Sequence, residues 1–198
     1  VFFLGKNGGD NMNYKYNWTS FPKHTINLGA LCVPADIIQC FKKYNIDKYV
    51  YCIMFKGTVI KFGMSAPESY TREWGERVYR QIGHCYSWGK NVRLEGSSGA
   101  DWLIIERDFK NLYGIDLDHK QMKLIVWDVT NYHFQSFQPF KEVEAMESEL
   151  INNYLEQFGE KPIGNINDES NKRHRSFVSK ETFGHLFAEE NDNIFIEE

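Results

Sequence analysis

Three side chains in this sequence have types and surroundings that chemistry can use: Tyr51, Lys61 and Glu147. Tyr51 and Lys61 stand on either side of Lys56-Gly57. The flanking runs, Tyr49-Val50-Tyr51-Cys52-Ile53-Met54-Phe55 and Thr58-Val59-Ile60-Lys61-Phe62-Gly63, are dense in β formers and read as a hairpin over 49–63. A two-residue loop pairs Phe55 with Thr58 and puts Tyr51 and Lys61 on opposite faces. A three-residue loop, Phe55-Lys56-Gly57, gives Gly57 the positive-φ position, makes a bulge and sets Tyr51 directly opposite Lys61. Gly57 suits the second register. A Tyr–Lys pair on one face can hold a water and take its proton, or it can be an ordinary cross-strand contact.

Glu147 belongs to a strongly amphipathic helix over 142–158, closed by Gly159. With Val143 at zero and about 100° per residue, Val143, Leu150, Ile151, Tyr154 and Phe158 fall within roughly 100° of one another. Glu147 falls at about 40°, inside that stripe, while Glu142, Glu149 and Glu156 fall on the opposite, solvated face. An inward carboxylate is costly unless it is paired or binds a cation. Glu147 is therefore a metal ligand or an acid/base, or else a core Glu satisfied by an Arg or Tyr.

The elements that must hold these groups follow from periodicity. Residues 1–30 are Gly- and Asn-rich without a period and read as an irregular arm. Residues 34–44 read as a short helix, with Pro34 in its first turn, Ile37, Ile38 and Phe41 as its stripe, and Lys42 and Lys43 at its end. After the hairpin, Trp74, Val78 and Ile82 recur at helical spacing over 69–84, with Arg77, Arg80 and His84 on a neighbouring face. A second helix over 101–113 has the stripe Trp102, Ile105, Phe109 and Leu112 and stops at Gly114. Residues 122–129 read as a mostly buried strand. This order gives an α+β fold with a small antiparallel, three-stranded sheet flanked by helices.

Composition narrows the function classes. The chain has 198 residues, 42% hydrophobic and 25% charged, enough to bury a core without disulfides or a structural metal. No apolar run is long enough for a membrane span. Val1-Phe2-Phe3-Leu4 is too short and lacks the basic flank of a signal peptide. Cys32, Cys40, Cys52 and Cys85 form no CxxC pair and have no His at zinc-ligand spacing. They read as reduced thiols of a cytoplasmic protein. The net charge of -4 argues against a generic polyanion binder. The charge is nevertheless uneven. Arg72, Arg77, Arg80, Lys90 and Arg93 form one basic island, and Lys172, Arg173, His174, Arg175 and Lys180 a second. They read as solvated surface or as a nucleic-acid footprint.

Taken in order, the parts resemble the GIY-YIG nuclease family. Tyr49-Val50-Tyr51 is similar to its first motif, with Tyr51 matching the last Tyr, and Lys61-Phe62-Gly63-Met64-Ser65 is similar to its second. Arg77-Val78 matches the apolar residue after the family Arg, and Arg80 matches a His four residues on, at His84. Glu147-Ser148-Glu149-Leu150-Ile151 matches the Glu before a Leu-Ile pair. Pro162-Ile163-Gly164-Asn165 matches the closing Pro and Asn. Two positions depart from the pattern: Tyr49 replaces the first Gly, and Lys61 replaces the second Tyr.

The resemblance implies a nuclease domain over 48–166 with an insertion near 86–120, an N-terminal arm and short helix over 1–47, and a C-terminal extension over 167–198. It implies metal-dependent hydrolysis of phosphodiesters in double-stranded DNA, site-specific and of restriction or phage type. Glu147 would bind Mg²⁺ or Mn²⁺, and Tyr51 would take the proton of the attacking water. A free Tyr titrates near ~10, and Lys61 would stabilise its phenolate. Arg77 or Arg80 would hold the phosphoryl oxygens, His84 would touch phosphate or relay a proton, and Asn165 would orient a neighbour. Arg72, Lys90, Arg93, Lys172, Arg173 and Arg175 would contact DNA phosphates, and a palindromic target would imply a two-fold dimer. The alternative is a non-catalytic nucleic-acid-binding protein on a degenerate scaffold of this kind.

Overall fold

The computed structural model describes residues 14–30, 36–55, 58–66, 107, 109–111, 114–116, 119–159 and 161–165. The expected helix at 69–84, both basic islands, most of the insertion and the tail lie outside these residues. Within them the chain is α+β. Strands β1 (Lys23–Asn27), β2 (Tyr49–Phe55), β3 (Thr58–Ser65) and β4 (Met122–Asp128) form one sheet. The main helices are α1 (Asp36–Tyr44) and α2 (Pro139–Phe158).

The sheet order is β1-β4-β2-β3, and every pairing is antiparallel. It has four strands where three are expected. The extra strand comes from the segment read as an irregular arm. Lys23-His24-Thr25-Ile26-Asn27 is short and polar, and only His24 and Ile26 turn partly inward. A two-residue period over five residues is too brief to stand out, yet it suffices once β4 offers a backbone edge.

β2 is central, and all seven of its residues are buried. One face, with Val50, Cys52 and Met54, packs with Phe62 and Met64 of β3, with Ile125 and Trp127 of β4, and with Val143, Met146, Leu150 and Tyr154 of α2. Tyr16, Trp18 and Phe21 of the arm complete this core. Trp18 meets Phe21 and Trp127 edge-on at 5.6 and 5.5 Å. The other face carries Tyr49, Tyr51, Ile53 and Phe55. There Phe41 of α1 lies 4.7 Å from Tyr49, and Phe109 lies 6.2 Å from Phe55. Residues 107 and 109–111 are helical, within the second expected helix. Gly114, at φ 66°, donates its N–H to Lys110 O at 2.9 Å, as its reading as a stop requires.

α2 begins a turn earlier than its apolar period suggests, because Pro139 suits the first helical turn. It ends at Gly159, whose φ of 77° is left-handed and whose N–H reaches Leu155 O at 2.8 Å. Where β4 leaves the sheet, Thr130 Oγ1 accepts the Asp47 and Lys48 N–H groups at 2.9 and 3.2 Å. That hydroxyl fixes the start of β2, and so the strand that carries Tyr51.

Candidate functional site

The hairpin follows neither register expected from its sequence alone. Phe55 pairs with Thr58 across a two-residue connection, and Met54 pairs with Val59. The register then shifts, so that Ile53 faces Lys61 and Tyr51 faces Gly63. The irregularity lies one step inside the hairpin, at Ile60, rather than at Gly57. The extra residue restores Lys61 to the Tyr51 face, but as a diagonal neighbour and not as a direct partner. Diagonal neighbours stand about 7–8 Å apart, within reach of a long side chain.

Gly63 explains where Tyr51 goes. A β-carbon at position 63 would collide with the hydroxyl end of the Tyr51 ring, so the ring occupies space that only a glycine leaves open. Tyr51 is only 1% exposed. Its ring is 6.2 Å from that of Tyr49, which stands where the resembled motif has glycine.

The free edge of β3 is closed by Asn165. Its side-chain amide accepts the Phe62 N–H at 2.7 Å and donates to the Phe62 carbonyl at 3.0 Å. Two backbone groups that an edge strand would leave open are thereby satisfied. The turn Ile163–Asn165 approaches so closely that a β-carbon on Gly164 would stand 2.7 Å from Lys61 Cβ and 2.8 Å from Ile60 O. Asn165 thus holds the residue between Lys61 and Gly63, and Gly164 makes room for it. Tyr51, Lys61 and Asn165 are brought together around β3.

Glu147 is carried by α2. α2 covers the opposite face of the sheet from Tyr51, and Glu147 is half-buried on its flank. The buried line of α2 runs through Val143, Met146, Leu150, Asn153 and Tyr154. This stripe is rotated from the expected one: Met146 and Asn153 are drawn in, while Ile151 and Phe158 are left half-buried at the rim. The cause is the arm, which covers the other flank.

That other flank carries a carboxylate expected to be solvated. Glu149 accepts the backbone N–H groups of Lys15 and Tyr16, the latter at 3.4 Å, and the Trp18 indole N–H at 3.0 Å. Burial and the Glu149 charge push the Tyr14 phenol up to about 12, against the opposing hydrogen bond with Asn153. Glu142, also expected to be solvated, accepts the Gln135 and Ser136 N–H groups at 3.0 and 3.3 Å. Both acids anchor backbone that a helical wheel does not contain.

Arg77, Arg80, His84, Arg72, Lys90, Arg93, Lys172, Arg173 and Arg175 lie outside the described residues. Among the described residues, no three His, Cys, Asp or Glu side chains converge on one point. Cys52 is a buried, free thiol whose ionisation is pushed up by burial, consistent with its reading as a small apolar side chain. No described helix is long and apolar enough to cross a membrane. Comparison with models of protein families, with curated proteins and with solved structures gave no match.

Proposed function

We propose that this chain is a metal-dependent endonuclease of GIY-YIG type that hydrolyses phosphodiester bonds in double-stranded DNA at specific sites. One observation carries the reading. Three separated stretches, Tyr49–Tyr51, Lys61–Gly63 and Pro162–Asn165, meet at one place on β3, with Tyr51 against Gly63 and Asn165 clasping Phe62. These are three of the stretches on which the family resemblance rests. The first two meet as paired strands of the hairpin, and the third, which the sheet does not require, joins them through the Asn165 bonds to Phe62.

In this proposal Tyr51 takes the proton of the attacking water, and the Lys61 ammonium on the same face favours the phenolate. Asn165 is a positioning residue, since its amide is committed to Phe62. Arg77 or Arg80 holds the phosphoryl oxygens. Glu147 is the protein ligand for Mg²⁺ or Mn²⁺. A single carboxylate fits such an ion, which keeps several waters and takes further oxygens from substrate phosphates. When bound, the cation would neutralise the scissile phosphate and stabilise the leaving oxygen.

A second reading has its own observation. Tyr51 is 1% exposed and lies across the sheet from α2, an arrangement equally suited to a nucleic-acid-binding protein on a scaffold that no longer cuts. Incubation with supercoiled plasmid and phage DNA in Mg²⁺ or EDTA separates the two. The nuclease reading expects discrete, metal-dependent products. Mobility shifts with intact DNA under all conditions would assign the chain to the second.

A further inference from the structure

We propose that the loop joining β4 to α2, residues 129–138, is a base-stacking contact for nucleic acid, with Phe137 as the stacking ring. The inference rests on the nucleic-acid reading above and adds to it a recognition residue that the resemblance does not supply.

Phe137 is 106% exposed, so its whole ring stands in water. Burying a Phe ring stabilises a fold, and the core is close by. Phe134, three residues earlier, packs against the core, with its ring 5.1 Å from Tyr132. Tyr132 in turn meets Phe21 at 5.6 Å. Between the two phenylalanines the backbone is tied down. Glu142 accepts the Gln135 and Ser136 N–H groups, and Ser136 Oγ accepts the Gln138 N–H at 3.0 Å. Lys141 N–H then reaches Gln138 O at 3.0 Å. These bonds hold Phe137 outward.

The neighbours of the ring indicate what it meets. Asn131, His133, Gln135, Ser136 and Gln138 are all exposed. Amide side chains both donate and accept, as base edges do. In a chain with 27 acidic residues, the stretch Val129–Lys141 has none, and Lys141 is its single formal charge. The exposed ion pair of Lys141 with Glu144 is of a kind worth little. The Glu142 carboxylate is turned into the loop backbone. An aromatic ring among amides, with one cation and with the nearby Glu142 carboxylate engaged by the loop's own N–H groups, suits a base on a phosphate chain. A lipid surface would call for a broader apolar face. A second copy would need an interface of about 1,000 Å² or more, which one ring among polar groups does not supply. From Pro139 to Glu147, α2 rises about 12 Å, roughly three or four base-pair steps.

The test is fluorescence anisotropy in EDTA, so that binding is read without cleavage. The probes are a labelled duplex with a short unpaired bulge and the fully paired duplex. Phe137→Ala should weaken binding to the bulged probe about tenfold or more. Phe137→Tyr should retain it, and Phe137→Leu, apolar without a π face, should fall with Ala. Equal binding by wild type and Phe137→Ala would overturn the inference, as would full retention by Phe137→Leu. Phe137-dependent sedimentation with phosphatidylglycerol vesicles, or a dimer lost in Phe137→Ala, would also overturn it. Cleavage by wild type alongside unaltered Phe137→Ala binding would sink this inference alone. Absence of any DNA binding by wild type would sink the nuclease reading with it.

Discussion

The two flanks of α2 carry glutamates two residues apart in sequence and about 160° apart around the helix. On one flank Glu149 is consumed by folding: it gathers two backbone N–H groups and an indole N–H from the arm. On the other flank stands Glu147, half-buried. The difference teaches that an apolar stripe does not decide which carboxylate is structural. The Glu149 contacts come from a segment more than a hundred residues away, and its arrival turns an outward carboxylate into a clasp.

The comparison breaks most visibly at Glu147. Under the nuclease reading, Glu147→Gln should lower metal-dependent cleavage by about a thousandfold, the scale of losing several kcal/mol of transition-state stabilisation. Its urea midpoint should stay close to wild type. Glu149→Ala should do the reverse. Loss of three bonds to a charged acceptor should cost about 2–3 kcal/mol of stability, read as a lower urea midpoint, with cleavage per folded molecule unchanged.

The edge of β3 sharpens the contrast, because there one residue serves both fold and site. Asn165→Leu leaves the Phe62 N–H and carbonyl without their side-chain partners and should cost about 1–3 kcal/mol. It should also slow cleavage among the molecules that remain folded, since Lys61 and Gly63 flank Phe62. Gly63→Ala should cost about 1–3 kcal/mol by overpacking against the buried Tyr51 ring.

The smallest effect is at Tyr14. Its folded-state ionisation lies at about 12, above the value near ~10 of an unfolded chain. The folded arm therefore keeps a proton that the unfolded chain gives up. This stabilisation is complete below about pH 10 and is lost as pH rises from about 10 to about 12. Tyr14→Phe should flatten that part of the stability profile, measured as urea midpoints against pH for both proteins.

Much of the fold was legible because its signals are local. The β-dense run 49–55, the period of α2 and the glycine stops at 114 and 159 each declare an element within a few residues. β1 was not legible, because five polar residues have no period to show and become a strand only against β4. The hairpin was half legible. Tyr51 and Lys61 do share a face, but through a shift at Ile60 that a count from Gly57 cannot locate. Asn165 was marked by its motif, whereas its bonds to Phe62 depend on how a later turn meets an earlier strand. Glu149 gave no signal, since its partners are backbone amides that every residue possesses.

The most direct test of the central claim is one assay run on two proteins. Glu147→Gln and Glu149→Gln are incubated with supercoiled plasmid in Mg²⁺ beside wild type, well below their melting temperatures. The account predicts that Glu147→Gln stays folded and leaves the plasmid intact, while Glu149→Gln, though less stable, cuts like wild type. Cleavage by Glu147→Gln at the wild-type rate would contradict it.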